Sequence, residues 1–380
     1  AAAWYVTHYN LRHQPGFYEE FKKAMAVNLQ WRTYGHMVVF PPLALGLLGP
    51  SVTRTDLLAE EIQRLLGVGP VTFDDLLAME TRAVDPVPTL IINGTVYNSG
   101  QRIAFTNLPA SRFPSLVERD GTGGSLGTSD REILRNLVQP LTFEDFGSDI
   151  GPFRLARALA ASAAYPMVLA PVPLRTFPDR VTPCAITQGA RAGEILSERT
   201  DEQVCLRPLN TRLLESQILY VADGGLHENE GIDPLLSMIK TLPRRQPVLL
   251  IVIDGTVRME TLRLGPGKIW GPTTVIARMY DIGNLRSLAF YSSVAARFHD
   301  PDCLRAVVIR MEGYDPETDR MLHSIPTMFK LSTSHRVALE TAASQNVAHM
   351  LPNLDKAYRE LRKSSRSGTG TQRAASARPR

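Results

Sequence analysis

Apolar and polar positions alternate along this chain in two distinct rhythms. Over residues 55–66, Leu57, Leu58, Ile62, Leu65 and Leu66 recur at helical spacing, and Gly67 follows as a stop. Residues 4–28 read as helical with an irregular stretch at Gln14-Pro15-Gly16, and 73–77 as a shorter helix. Further helical patterns cover 131–137, 155–164, 234–240 and 285–298. Between them lie short, continuously apolar runs at 88–95, 218–223, 248–254 and 306–310. Runs of that kind suit strands buried on both faces. Strands alternating with helices predict an α/β fold with a central, mostly parallel sheet flanked by helices on both sides.

Two stretches interrupt the alternation. Residues 112–130 are polar and rich in Gly, Ser and Thr, which predicts a loop. Residues 173–209 are long and mixed, with Pro173, Pro178, Pro183 and Pro208, and connections of that length are usually functional or mobile. The most apolar run, 37–50, is broken by Pro41, Pro42 and Gly46. It falls short of the ~20 unbroken residues that a membrane span requires. It reads as a buried loop in preference to a lipid-facing lip.

Composition adds bounds. Of 380 residues 44% are hydrophobic, enough for a sizeable core. The formal charge is +4, but Arg362, Lys363, Arg366, Arg373, Arg378 and Arg380 follow Glu360 with no acid among them. The basic balance therefore belongs to the C-terminal end, and no nucleic-acid partner is expected. Residues 364–380 are mostly Ser, Gly, Thr, Ala and Arg, which cannot bury a core. The chain is read as one domain over 1–350, followed over 351–380 by a helix end and a disordered basic tail. Cys184, Cys205 and Cys303 form no CxxC pair, which argues against zinc and weakly for a reducing compartment, with a Cys184–Cys205 disulfide left open. A cytoplasmic or peripheral membrane location is expected over secretion.

The chemistry concentrates in residues 220–234. Asp223 leaves the end of an apolar strand and is followed by Gly224 and Gly225, in the position where open α/β sheets place their ligands. Paired glycines allow a tight turn beside the carboxylate. Asp233-Pro234 reads as the cap and first residue of a helix. An aspartate placed like Asp223 can orient a nucleophile or take its proton; equally, it can cap a simple turn. His227, Glu228, Glu230 and Asp233 cluster nearby, but their spacing matches no metal motif and they read as a solvated acidic loop. The remaining histidines are scattered. A second segment, 154–166, is a helix of very small residues ended by Pro166, a pattern that allows close packing. Asn93-Gly94-Thr95 matches a glycosylation sequon, discounted because it ends a buried strand. No glycine fingerprint for nucleotides is present, and no cofactor is expected.

Taken together, these segments resemble the patatin-like phospholipase family. That family has an Ala-Ser-x-Ala-x-Pro helix end before an apolar strand; this chain has Ala161-Ser162-Ala163-Ala164-Tyr165-Pro166, then Val168 to Val172. It has Asp-Gly-Gly with an Asn six residues after the Asp; here stand Asp223, Gly224, Gly225 and Asn229. It has a buried strand leading into Asn-x-Thr and then a Gly; here stand Asn93, Thr95 and Gly100. The resemblance spans about residues 1–332. It implies a three-layer α/β fold and a lipid acyl hydrolase of phospholipase or lysophospholipase type that cleaves acyl esters with a Ser–Asp dyad. Asp223 would be the base, with Gly224 and Gly225 shaping its loop and Asn229 bracing the turn. Ser162 and Pro166 would be structural.

In relatives the nucleophile elbow runs on through small and aromatic residues, and Ala1 to Val6 resembles that continuation. The serine and the oxyanion loop are therefore expected upstream of Ala1, and this chain alone is expected to be inactive. Gly123-Gly124-Ser125-Leu126-Gly127 matches the elbow G-x-S-x-G letter for letter, but it follows Val117-Glu118-Arg119-Asp120 and not a buried strand. Ser125 is therefore not read as the nucleophile. The expected partners are a lipid or phospholipid substrate and, transiently, a membrane surface. Two alternatives remain: a lipid-binding pseudo-hydrolase, and an unrelated α/β protein in which Asp-Gly-Gly is only a turn.

Overall fold

A computed structural model describes residues 1–29, 32–33, 53–113, 139–165, 169–181, 211–227, 231–242, 246–255, 304–311, 313–325 and 331–375. The apolar run at 37–50, the polar loop with Ser125, the helices read at 131–137 and 285–298, Pro166, Asn229 and all three cysteines lie outside them. The fold is mixed α/β, and it divides into two compact units.

The first unit carries helices α1 (Ala2–Thr7), α2 (Phe17–Met25), α3 (Arg54–Leu66), α4 (Phe73–Glu80), α5 (Leu155–Ser162), α6 (Thr211–Glu215) and α7 (Ile232–Thr241). It also carries strands β1 (Ile92–Val96), β2 (Arg102–Phe105), β3 (Val172–Arg175) and β4 (Ile218–Asp223). Helices α3 and α4 start where the sequence provides for it. Thr53 with Asp56, and Thr72 with Asp75, form capping boxes, each worth about 1 kcal/mol, and Gly67 ends α3 in the left-handed conformation its missing Cβ allows. The buried face of α3 packs on α5, and α5 packs on β1 and β4. Ala156, Ala158, Ala160 and Ala161 are almost fully buried in that contact, so the small side chains do what they predict and bring helix and sheet close.

The four strands pair in the order β2-β1-β4-β3, and every pairing is antiparallel. A mostly parallel sheet was the expectation; here it is corrected. Among the described residues the parallel pairing of strands is confined to β5 (Val248–Asp254) with β6 (Leu304–Arg310) in the second unit, apart from an isolated parallel bridge between Ile103 of β2 and Leu141. The reason is physical. The short connection between β1 and β2 can join only antiparallel neighbours, since parallel strands need a crossover of a dozen or more residues. The apolar runs also overstate burial: Ile218 and Tyr220 of β4, Ile251 and Ile253 of β5 and Val308 of β6 are exposed, so these strands bury one face where burial on both was expected, and apolar character does not record direction.

The second unit also contains α8 (Pro316–His323) and α9 (Thr333–Ala375), which packs on α8, β5 and β6. Composition predicts disorder from residue 364, yet the backbone stays helical through Ala375. Pro352 lies inside this helix at the cost of one backbone hydrogen bond. A helix already nucleated by packing extends cheaply, one bond per residue fixed, even through Ser, Thr and Gly. Among the described residues no helix is long and apolar enough to cross a membrane.

Candidate active site

Three sequence-remote segments converge on Asp223. Strand β4 delivers it from a buried run in which Leu219, Val221 and Ala222 have no measurable exposure. Its backbone N–H donates to Ala164 O, just past the end of α5, at 3.2 Å. Across the sheet Asp223 stands opposite Gly94 of β1. The small-residue helix end, the Asn-Gly-Thr strand and the Asp-Gly-Gly turn are thus one place in the fold.

The turn itself is built by the carboxylate. Oδ1 of Asp223 accepts the Gly225 N–H at 2.8 Å, and Gly224–Leu226 form a single 3-10 turn closed by His227 N–H to Gly224 O at 3.1 Å. This is the side-chain-to-backbone bond two residues on that aspartates use in turns. Gly224 is required by proximity: a Cβ there would lie 2.6 Å from Asn93 O. Thr95 Oγ1 donates to Gly224 O at a long 3.5 Å, so β1 carries the loop. The buried Thr95 and the packed Asn93 fit the discounting of the glycosylation sequon.

Burial pushes the Asp223 carboxyl above the ordinary aspartate range, and the Gly225 N–H offsets this only in part. Among the described residues Gly225 N–H is the single hydrogen-bond donor to this carboxylate. A desolvated carboxylate held by one amide is a stronger base than one in water. Tyr97 lies near enough to feel it: burial raises the Tyr97 phenol, and the negative charge of Asp223 raises it further.

Of the acidic cluster expected beyond the turn as a solvated loop, Glu228 and Glu230 lie outside the described residues, and Asp233 is not solvated. Asp233 is 1% exposed, and its Oδ2 stands 3.2 Å from an Arg102 guanidinium nitrogen that is equally buried. It lies inside the first turn of α7 and not at the cap, because the carboxylate is turned to Arg102. His227 Nδ1 donates to Gly100 O at 3.0 Å, and its Nε2 lies 3.7 Å from Asp233 Oδ2. The histidine therefore ties the end of the Asp-Gly-Gly turn to the β1–β2 connection and to α7. Arg102 and Asp233 were missed as a pair. Their signal was a full charge inside an apolar strand (Arg102-Ile103-Ala104-Phe105) and another inside an apolar helix start (Ile232-Asp233-Pro234-Leu235-Leu236). Buried charges occur almost only in pairs.

Among the described residues no group of three or more His, Cys, Asp or Glu is arranged to hold a metal ion. Of the candidate site residues, Asp223, Gly224 and Gly225 come together in one turn, and Asn229 and Ser125 fall outside the described residues. Comparison with family models, with curated proteins and with solved structures found no match to this chain.

Proposed function

We propose that this chain carries the base half of a patatin-like lipid acyl hydrolase, within a three-layer parent fold. Support comes from one observation above all: the three segments that carry the resemblance meet at Asp223, through the Gly94–Asp223 pairing and the Asp223 N–H to Ala164 O bond. Unrelated turns have no reason to assemble in that way.

In this reading the nucleophilic serine and the oxyanion donors belong to residues preceding Ala1. Asp223 takes the serine proton as Oγ attacks the ester carbonyl, and the proton passes to the departing alcohol. Water, deprotonated by the same carboxylate, then releases the fatty acid and restores the serine. The raised affinity of Asp223 for a proton suits both steps. The substrate is a phospholipid or lysophospholipid met at a membrane surface by a soluble or peripheral protein, and no cofactor takes part.

The test uses two proteins, the present chain and one extended N-terminally through the proposed elbow. We expect ester turnover and fluorophosphonate labelling only in the extended form, both abolished by Asp223→Asn and turnover untouched by Ser125→Ala. Turnover that survives Asp223→Asn would reduce Asp-Gly-Gly to a turn. Loss of turnover in Ser125→Ala with the fold intact would move the nucleophile to that loop. Lipid binding without turnover in the extended form would make the protein a pseudo-hydrolase.

A further inference from the structure

The turn that carries Asp223 contains two glycines, which give it its shape and also the most freedom to lose that shape. It is held from outside by one side chain. His227 closes the turn with its N–H on Gly224 O at 3.1 Å, and a residue that only ended the turn would need nothing more. The imidazole adds two contacts to other segments. Nδ1 donates to Gly100 O at 3.0 Å, Nε2 stands 3.7 Å from Asp233 Oδ2, and the side chain is only 11% exposed. Both partners are themselves fixed. Gly100 sits in the left-handed region at φ +72°, and its N–H donates to Val96 O at 2.8 Å, so the acceptor belongs to a tight turn. Asp233 pairs with Arg102, and Arg102 stands in register with Thr95.

Thr95 brings the path back to its start, with Oγ1 on Gly224 O. The contacts form a closed ring from Gly224 through His227, Asp233, Arg102 and Thr95 to Gly224 again. Their lengths say which link holds the turn. The Thr95 bond, at 3.5 Å, is at the limit of a hydrogen bond, and the Asp233 contact, at 3.7 Å, is a charge contact only. The His227–Gly100 bond, at 3.0 Å, has ordinary strength. The amide that the Asp223 carboxylate accepts, Gly225 N–H, lies inside the turn so held.

We infer that His227 is a positioning residue for Asp223: its bond to Gly100, backed by the Arg102–Asp233 pair, holds the two-glycine turn in the form that keeps the carboxylate enclosed. His227 acts through the turn and takes no proton from the nucleophile. A base must keep its oxygen within hydrogen-bond reach of the proton it removes, so a loosened turn misplaces it. The inference rests on the hydrolase reading for its effect on turnover. Its effect on the carboxylate is read on the chain by itself.

The experiment is a titration of the Asp223 carboxyl carbon by nuclear magnetic resonance in the labelled 380-residue chain, with Asp223→Asn assigning the signal. In His227→Ala we expect the midpoint to fall toward the ordinary aspartate range, because burial is what raises it and an opened turn admits water. His227→Asn, whose side-chain N–H can replace the Nδ1 donor, should keep the parent midpoint. Ile62→Val, which loosens the core elsewhere in the unit, should leave it unmoved and so separates positioning from general loss of stability. In the N-terminally extended protein His227→Ala should lower kcat roughly tenfold to a hundredfold with KM near the parent's, and His227→Asn should restore it. An Asp223 midpoint unmoved in His227→Ala, or moved as far by Ile62→Val, would overturn the inference, as would His227→Asn behaving like His227→Ala. A midpoint that follows His227 in a protein whose extended form turns over no ester would sustain the positioning role and remove the hydrolase reading.

Discussion

Gly94 stands directly opposite Asp223 across β1 and β4, and a Cβ added to it would lie 2.7 Å from Val221 Cγ1. The strand that braces the aspartate therefore depends on a missing side chain. Gly94→Ala should cost roughly 1–3 kcal/mol, the usual cost of overpacking, because Val221, Ile103 and Phe105 are buried on all sides of the new methyl. Gly224→Ala should cost at least as much, since its clash is with the Asn93 carbonyl, which cannot rotate away. Gly69→Ala, with open space around it, serves as a control within about 0.5 kcal/mol. Urea unfolding of the three variants checks the ranking.

The Arg102–Asp233 pair makes a second prediction. Removing one partner of a buried ion pair leaves the other charge in a poor dielectric, which typically costs about 3–5 kcal/mol. Arg102→Met and Asp233→Leu should each be strongly destabilising. The double variant should cost clearly less than their sum. Additive losses would show that each charge is held mainly by other groups.

Asp223 ties stability to pH with a sign opposite to most aspartates. Its folded-state affinity for protons is raised, so the folded state favours the neutral acid. The stability this contributes is complete below the ordinary aspartate range and is lost as pH rises through the folded-state value. Asp223→Asn keeps an oxygen for the Gly225 N–H and sheds the buried charge. Its unfolding midpoint should exceed the parent's near neutrality, and the gap should close as the pH is lowered past the ordinary carboxylate range. Thermal unfolding across pH decides it. A parent more stable than the variant at neutral pH would mean that a cation compensates the carboxylate.

Tyr97 reports on the same charge. Its phenol is held up by burial and then by Asp223, so Asp223→Asn should lower its titration midpoint part of the way toward that of a free tyrosine. Ultraviolet absorbance of the tyrosinate, with a Tyr97→Phe subtraction, reads the shift. An unchanged midpoint would separate the two groups electrically.

Much of the element layout was legible along the chain. The runs at 218–223 and 248–254 are β4 and β5 residue for residue, and α3 and α4 begin at their Thr–Asp capping boxes. Those features are local: apolar periodicity, a capping side chain and a glycine stop act within a few residues. Asp223 and its glycines were equally legible, because an acid at the end of an apolar strand followed by Gly-Gly is a local pattern too.

Partnership across distance was not legible. Asp233 read as a helix cap because Asp-Pro opens helices, and nothing next to it announced Arg102, 131 positions away by the numbering of the pair. Likewise the antiparallel order of β2-β1-β4-β3 could not be read from strands whose apolar character carries no record of direction. The C-terminal helix exceeded what its Ser- and Gly-containing composition suggests because its nucleus is packed elsewhere, on β6 and α8.

Hydrophobic period, capping and turn geometry are short-range, so most helices and strands and the turn at Asp223 could be placed from the chain alone. Only the tertiary structure decided strand direction, the burial of Asp233 against Arg102 and the meeting of three segments at Asp223. Each of these depends on desolvation and pairing between residues that the chain alone keeps far apart.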